Sequence, residues 1–279
     1  MLKIEKTDIY GWEAAIRGMR NPKNSWDRSD TVMKNMTLKN NKIAPGVNAY
    51  QWVPCVPYPE IGPNDYKLMK TLRLAGPEHS KYLRMVAVSC DITAPLYWWK
   101  EFDTYKIGTV ANSCSTMHKI ADKEFELDDF SHEHLLGIDD MPSDAIIHNS
   151  YPYVDVSPYN DKRITYTPKG VLQITIDMLN HCRDFYNMTC QSLKRTDLTE
   201  AERKHITAQQ KCYWWQMIQL LPSSYNQKRT VFMNYQVLMN AYLQRKNHKQ
   251  DEWRITFCDW VKTLPYSEFI TGEFKEESK

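Results

Sequence analysis

The sequence predicts an α+β protein, in which a sheet from the first half of the chain is covered by long helices from the second half. Two observations support this prediction. Residues 81–92 are rich in β-forming side chains and are flanked by chain-breaking residues, as a central strand would be. From Pro168 onward, the pattern is mostly helical. The 279 residues suffice for one large domain or two small ones, and we expect a single domain over residues 1–279.

Proline, glycine and capping residues divide the first half into short elements. Gly76-Pro77 ends one predicted helix, whereas Thr93 is a candidate N-cap and Pro95 lies in the first turn of the next helix. After an initial strand, the predicted elements are helix 11–19, loops with one helix near 28–38, helix 64–75, strand 81–92 and helix 95–102.

The second half is dominated by helical patterns that follow an irregular insert at about 121–167. The insert is acidic at first and then rich in Tyr and Pro, which is typical of a functional or mobile loop. Thr199 and Glu202 form a capping-box motif, and Pro222 ends the helix that they begin. The predicted helices span 168–193, 199–221, 229–245 and 250–262. On the first of them, the apolar stripe comprises Val171, Ile174, Met178, Cys182 and Phe185.

Composition narrows the class of protein and its compartment. A formal net charge of +2 makes neither nucleic acid nor an acidic membrane an obvious partner. The seven cysteines are odd in number and include no C-x-x-C motif, so we interpret them as reduced thiols of a cytoplasmic protein, mostly in the core. The first residues lack the apolar segment of a signal peptide, and no apolar run approaches membrane-spanning length.

A polar cluster follows the aromatic run Trp98-Trp99. Its side chains need hydrogen-bond partners when buried, so the cluster suits a surface that holds a phosphate-bearing ligand. A capped turn has the same composition, and this window alone favours the turn. The cluster comprises Asn112, Ser113, Ser115, Thr116 and His118.

A second window lies on the predicted helix 229–245. Asn234, Leu238, Ala241 and Arg245 share one stripe of that helix, since eleven residues return to nearly the same direction. A guanidinium on a half-buried stripe suits a phosphate or a pyrimidine carbonyl. The alternative is a solvated arginine at a helix C-terminus, which the helix dipole favours.

Together the two windows resemble the flavin-dependent thymidylate synthases. The C-terminal signature of that family resembles Leu221-Pro222, Asn234, Leu238-Met239-Asn240, Leu243 and Arg245 with the trailing Trp253, and Glu78-His79 stands before a strand as in the family. The resemblance covers about 64–120 and 165–262. The family's Arg-His-Arg triplet is replaced by Lys100-Glu101-Phe102, about five extra residues precede Asn112, and Gln236 replaces a flavin-contacting Arg.

The resemblance implies a mainly antiparallel sheet flanked by long helices and a defined reaction. FAD, reduced by NADPH, would support transfer of a one-carbon unit from methylenetetrahydrofolate to C5 of a pyrimidine deoxynucleotide, by default dUMP. The replaced triplet leaves two alternatives: a flavin enzyme acting on another pyrimidine nucleotide, and a non-catalytic nucleotide-binding relative. The family is a homotetramer with shared sites, and neither nucleic acid nor a membrane is expected as a partner.

The resemblance also assigns residues. Arg245 would hold and polarise the pyrimidine, and Ser115 would bind the nucleotide. Further substrate contacts would come from Tyr97, Trp98, Trp99, Lys100, Asn112, Ser113 and Thr116. Cofactor contacts would come from His79 and Lys81, from Asn234, Gln236 and Asn240 on the helix, and from His248.

Other candidate sites are less specific. His132-Glu133-His134 could suggest a metal, but an H-x-H motif without further spaced ligands is more typical of a solvated turn, so we expect no metal. Cys114 could be a nucleophile, but the sequence identifies no base beside it, which favours a packing role. The pairs Trp98-Trp99 and Trp214-Trp215 favour a core or an interface over a cofactor stack.

Overall fold

The computed structural model describes residues 2–34, 58–115, 119–140, 154–156 and 164–274. It combines helices with antiparallel sheet, which confirms the predicted α+β class. The strands are β1 Lys3–Tyr10, β2 Val32–Lys34, β3 Tyr58–Glu60, β4 Ala87–Pro95, β5 Val110–Ser113, β6 Val154–Val156, β7 Ile164–Tyr166 and β8 Asn226–Asn234. The helices are α1 Trp12–Arg20, α2 Pro63–Leu74, α3 Leu96–Phe102, α4 Pro168–Ser192, α5 Glu200–Leu220, α6 Tyr235–Arg245, α7 Cys258–Thr263 and α8 Glu268–Thr271.

The chain divides into two compact units. One comprises Leu2–Ile92, Glu101–Asn112 and Arg229–Lys279, and the other comprises Thr93–Lys100 and Ser113–Lys228 with Met1. We call the first the sheet unit. We call the second the hairpin unit, because it contains the two long helices α4 and α5. The division into these units does not test the expectation of a single domain, which stays a prediction.

The sheet unit holds most of a four-stranded sheet with the order β1-β4-β8-β5. Strand β4 alternates as a strand with one covered face should, because Val88, Cys90, Ile92 and Ala94 are all buried. A second sheet pairs β2 with β3 in antiparallel register, with Met33 opposite Pro59.

The helices of the sheet unit follow their apolar patterns. In α1, Trp12, Ala15, Ile16 and Met19 are buried at helical spacing. Helix α6 is buried around most of its circumference, with Leu238 and Ala241 among its buried residues.

The hairpin unit is organised around helices α4 and α5. One apolar cluster joins both helices to four side chains of the segment 120–130, so the first part of the insert contributes to the core. The buried members are Ile120, Ala121, Phe125, Phe130, Leu172, Ile176, Leu179, Cys182 and Met217. Farther along the insert, β6 pairs with β7 in antiparallel register.

The predicted helix 229–245 is wrong over its first part. Residues Asn226–Asn234 form β8, and helix α6 begins only at Tyr235. Val231 and Met233 are buried while Phe232 between them is 42% exposed, which is the alternation of a strand. Asn234 is the N-cap of α6, and its Oδ1 accepts a hydrogen bond from the Val237 backbone N–H at 3.0 Å.

The apolar stripe identified on α4 is mostly exposed. Val171, Ile174 and Met178 are 50%, 48% and 50% exposed, whereas Cys182 is buried. The core is contacted instead by the neighbouring stripe that includes Leu172 and Ile176. Because α4 carries two apolar stripes at helical spacing, periodicity could not decide which of them faces the core.

Several shorter elements also differ from the prediction. Over the described part of 28–38 there is a 3-10 turn, Trp26–Arg28, and then strand β2 rather than a helix. Strand β4 extends to Pro95, so Thr93 is a strand residue and not an N-cap. The predicted helices at 11–19, 64–75, 168–193 and 199–221 are confirmed within two residues, as is the capping box of Thr199 and Glu202. The helix at 250–262 consists of a π-type turn, Glu252–Phe257, and α7.

Candidate functional site

Arg245, the last residue of α6, is held by contacts from three other side chains. Its side chain is 12% exposed, and its Nη1 lies 2.9 Å from a carboxylate oxygen of Glu101. Its Nε donates to the Tyr105 hydroxyl at 2.9 Å. The guanidinium carbon lies 4.8 Å from the ring centroid of Trp253, which is a cation–π contact. Arg245 therefore has a defined position and is not the freely solvated arginine of the alternative interpretation.

The segment that follows Lys100 lies along α6. At one end of the helix, Tyr105 contacts Arg245 and donates a hydrogen bond to the Gln244 side chain at 3.0 Å. At the other end, a Cβ on Gly108 would lie only 3.1 Å from Asn234 Nδ2, and Gly108 has a φ of +82°. The segment with about five more residues than the family pattern is thus packed against the helix that carries the predicted site.

Glu101 replaces the histidine of the family's Arg-His-Arg triplet, and its carboxylate forms an ion pair with Arg245. Its side chain is 44% exposed, so solvent reaches the ion pair from the Glu101 side. The sequence showed that the triplet had been replaced, but it did not show this partner, which is 144 positions away. Sequence reasoning also missed Tyr105, since an isolated tyrosine in a loop carries no spacing signal.

A chain of polar side chains links α6 to the Glu78-His79-Ser80 segment. The Ser80 hydroxyl, which is buried, donates to Gln236 Oε1 at 3.5 Å, and Gln236 Nε2 donates to Asn240 Oδ1 at 3.3 Å. Gln236 is 7% exposed, whereas Asn240, His79 and Lys81 are exposed. Tertiary structure thus brings the predicted cofactor residues from two distant windows close together.

Two other predicted cofactor residues have local structural roles. The Asn234 side chain caps α6, so its oxygen is already engaged. His248 follows α6, where its Nδ1 accepts a hydrogen bond from the Gln250 backbone N–H at 3.2 Å.

The predicted nucleotide cluster is exposed where it is described. Asn112 and Ser113 lie on β5 and Ser115 follows it, all with exposed side chains. Thr116 and His118 lie outside the described residues. Ser113 and Ser115 belong to the hairpin unit and Asn112 to the sheet unit.

The aromatic run before the cluster is mostly core. Trp98 and Trp99 are buried, and Trp99 Nε1 donates to the Gln227 carbonyl at 2.9 Å, which confirms the prediction of a core role. Tyr97 is half-buried with its hydroxyl 3.0 Å from the Ser131 hydroxyl, and Lys100 is exposed. In the second pair, Trp214 packs against the core of the hairpin unit, while Trp215 is 42% exposed.

The described cysteines form no disulfide; Cys90, Cys182 and Cys258 are buried, whereas Cys114 is exposed. Burial, with a smaller effect of Asp91, raises the pKa of the Cys90 thiol to about 12, so this thiol stays protonated near neutral pH. Among the residues that the structure describes, no group of three or more His, Cys, Asp or Glu side chains could hold a metal ion. Nor is any described helix both long and apolar enough to cross a membrane.

No protein-family model matches this sequence, and no curated protein matches it. Solved structures do match. Two structures of thymidylate synthase X from Helicobacter pylori, each with FAD and dUMP, have a TM-score of 0.53 at 13% identity, over 96% of this chain and 96% of theirs. The chain shares the fold of these enzymes. The UMP/dUMP methylase PolB from Streptomyces cacaoi, bound with 5-Br dUMP, has a TM-score of 0.48 at 13% identity, over 98% and 95% of the two chains.

Proposed function

We propose that this protein is a flavin-dependent enzyme that transfers a one-carbon unit from methylenetetrahydrofolate to C5 of a pyrimidine deoxynucleotide, with dUMP as the default substrate and NADPH as the reductant. The observation that carries this proposal is the fold similarity over 96% of the chain to an enzyme crystallised with FAD and dUMP. The defined position of Arg245, at the end of the helix that carries the sequence motif, supports it.

Arg245 is the residue that we assign to the base. Its guanidinium has five N–H donors, of which the contacts to Tyr105 and Glu101 engage two. A further N–H directed at a pyrimidine carbonyl oxygen would stabilise negative charge that develops on the ring during transfer to C5. Trp253 and Tyr105 hold the guanidinium in place for that role. Ser115 is the residue that the sequence motif assigns to the nucleotide.

The residues on α6 fit the carbonyl-bearing edge of a flavin. The hydrogen bonds that run from Ser80 through Gln236 end at the exposed side chain of Asn240. No described residue accepts a hydrogen bond from the Asn240 N–H donors. Lys81 supplies positive charge in the same region, and His79 and His248 are the further cofactor candidates. FAD, when bound and reduced by NADPH, would supply the electrons that convert the transferred methylene group to a methyl group.

Glu101 favours a second candidate substrate. A carboxylate accepts hydrogen bonds, and cytosine presents an exocyclic amine where uracil presents a carbonyl. The pair of Glu101 as acceptor and Arg245 as donor, 2.9 Å apart, would match the amine and a ring acceptor of cytosine. A deoxycytidine nucleotide is therefore the second candidate substrate for the same reaction.

The exposed stripe of α4 supports the homotetramer that we propose. Val171, Ile174, Met178, Phe185 and Met188 follow helical spacing and are 36% to 59% exposed. Large apolar side chains in a row along one helix face are typical of interaction surfaces.

The test is an anaerobic turnover assay of the purified protein, supplied with FAD, NADPH, methylenetetrahydrofolate and dUMP, dCMP or UMP in separate reactions. Formation of dTMP from dUMP is the expected result. A C5-modified product from dCMP alone would replace dUMP by the second candidate. A colourless protein that cannot be reconstituted with FAD, but binds dUMP, would overturn the enzymatic proposal in favour of a non-catalytic relative.

A further inference from the structure

A basic cleft in the sheet unit lies between the segment that follows α1 and the first turns of α2. Its volume is about 260 Å³. None of the described residues that line it is acidic. The polar side chains that line it are Arg20, Lys23, Ser25, Arg28, Asn64, Lys67 and Thr71. We propose that this cleft binds a small phosphate-bearing anion at a site independent of Arg245.

Arg20 is a rigid part of the cleft wall. Its side chain is 4% exposed, and its Nε donates to Asp65 Oδ1 at 2.6 Å. Its Nη1 donates to the Ser25 carbonyl oxygen at 3.0 Å, while its Nη2 has no hydrogen-bond partner among the described residues. Arg20 is therefore a fixed guanidinium in the wall, held by Asp65 and by the Ser25 carbonyl oxygen.

The hydrogen bonds of Asp65 are made with Arg20 and with the neighbouring segment 29–31. Its Oδ2 accepts hydrogen bonds from the Ser29 and Thr31 hydroxyls and from the Asp30 and Thr31 backbone N–H groups. Asp65 therefore balances the charge of Arg20 and forms no ion pair with the other described cations of the cleft. Asp30 is also engaged, because it accepts from the Asn64 and Asp65 backbone N–H groups at the start of α2.

The three remaining cations of the cleft are Lys23, Arg28 and Lys67. Neither Lys23, Arg28 nor Lys67 forms an ion pair with any residue that the structure describes. Arg20 and Asp65 offset each other, and the Asp30 carboxylate at the start of α2 offsets one of the three other cations, so these groups leave a net charge of +2. Like charges that line one concave surface repel one another and concentrate positive potential, which attracts an anion.

The donor set favours phosphate over a single carboxylate. Arginine offers a planar fork and lysine a point charge, and the two together suit the several oxygens of a phosphate group. Ser25 and Asn64 add neutral polar groups. The cleft is smaller than the roughly 300–1,000 Å³ of pockets that enclose whole drug-sized ligands. It therefore suits phosphate, diphosphate or the phosphate end of a larger molecule.

The test is calorimetric titration of the full chain with diphosphate, inorganic phosphate and a triglutamate peptide. We expect diphosphate to bind, phosphate to bind more weakly, and triglutamate to bind at least tenfold more weakly than diphosphate. Affinity should fall as NaCl is raised. Equal or tighter binding of triglutamate would overturn the assignment to phosphate.

Substitutions of the cleft cations test whether diphosphate binds in the cleft. The double substitution Arg28→Ala/Lys67→Ala removes two exposed cations of the cleft and should weaken diphosphate binding at least tenfold. The matched control Lys204→Ala/Lys211→Ala removes two exposed cations of α5 and should leave it unchanged. Arg245→Ala should also leave it unchanged, whether or not the proposed reaction is confirmed. The proposal fails if both double variants bind diphosphate equally, or if the unaltered chain does not bind it at low salt.

Discussion

Arg20 and Arg245 are both largely buried and each pairs with one carboxylate, yet the two carboxylates differ. Asp65 is 0% exposed, and hydrogen bonds engage both of its oxygens. Glu101 is 44% exposed and lies in the last turn of α3. The Arg20–Asp65 pair is therefore enclosed by the fold, whereas solvent reaches the Arg245–Glu101 pair from the Glu101 side. The enclosed pair fixes Arg20 in the wall of the cleft, whereas the partly exposed pair leaves Arg245 able to contact a ligand that displaces Glu101 or binds beside it.

The largest expected effect is on stability, and it concerns the enclosed pair. Asp65→Ala leaves the Arg20 charge buried without its partner, so the free energy of unfolding should fall by about 3–5 kcal/mol. Glu101→Ala is the matched control, and it should cost about 1 kcal/mol or less because its pair is partly solvated. Urea unfolding followed by far-UV circular dichroism measures both. Equal losses in the two variants would remove the distinction between the pairs.

The next effect concerns the partly exposed Arg245–Glu101 pair and the proposed reaction. Arg245→Ala removes charge-assisted hydrogen bonds worth about 1.5–3 kcal/mol, so kcat/KM for dUMP should fall about 10- to 100-fold. Arg245→Lys keeps the charge but loses the planar fork, and it should recover only part of the activity. Circular dichroism should show both variants folded. Activity unchanged in Arg245→Ala would refute the role that we assign to this residue.

A smaller effect separates the two candidate substrates. Glu101→Gln removes the negative charge from Arg245, and a partly exposed pair is worth about 1 kcal/mol at most, or about fivefold in affinity. If dUMP is the substrate, its Kd should fall by up to this factor. If a deoxycytidine nucleotide is the substrate, its Kd should rise instead, because the neutral amide would accept a weaker hydrogen bond from the amine than the carboxylate does. Titration of both nucleotides into both proteins distinguishes the outcomes.

The smallest effect is a pH dependence of stability. Burial alone would raise the pKa of Asp65, but hydrogen bonds from Thr31, Ser29 and Arg20 outweigh it and lower the pKa below 3.8. The stabilisation is therefore fully present above the unfolded-state pKa and is lost as pH falls through the folded-state value. Urea midpoints between pH 5 and pH 3 should decline less steeply for Asp65→Asn than for the unaltered chain, and equal slopes would contradict this.

The elements that the sequence predicted correctly carry their own boundary signals. The helix at 199–221 begins with a capping box and ends before Pro222, and these signals act over a few residues. The prediction of a helix at 229–245 was wrong at its start. The residues before Asn234 carry no capping signal that would begin a helix there. Asn234 was identified as a site residue, whereas its side chain marks the junction between β8 and α6.

The sequence by itself determined the α+β class, most helices, and the motif that contains Arg245. Only the tertiary structure decided which stripe of α4 is buried, which carboxylate pairs with Arg245, and which cations share a cleft with Arg20. The physical reason is the range of the interactions. Helix signals act between residues a few positions apart, whereas ion pairs such as Arg245–Glu101 join residues far apart in the chain, and only packing brings them within 2.9 Å.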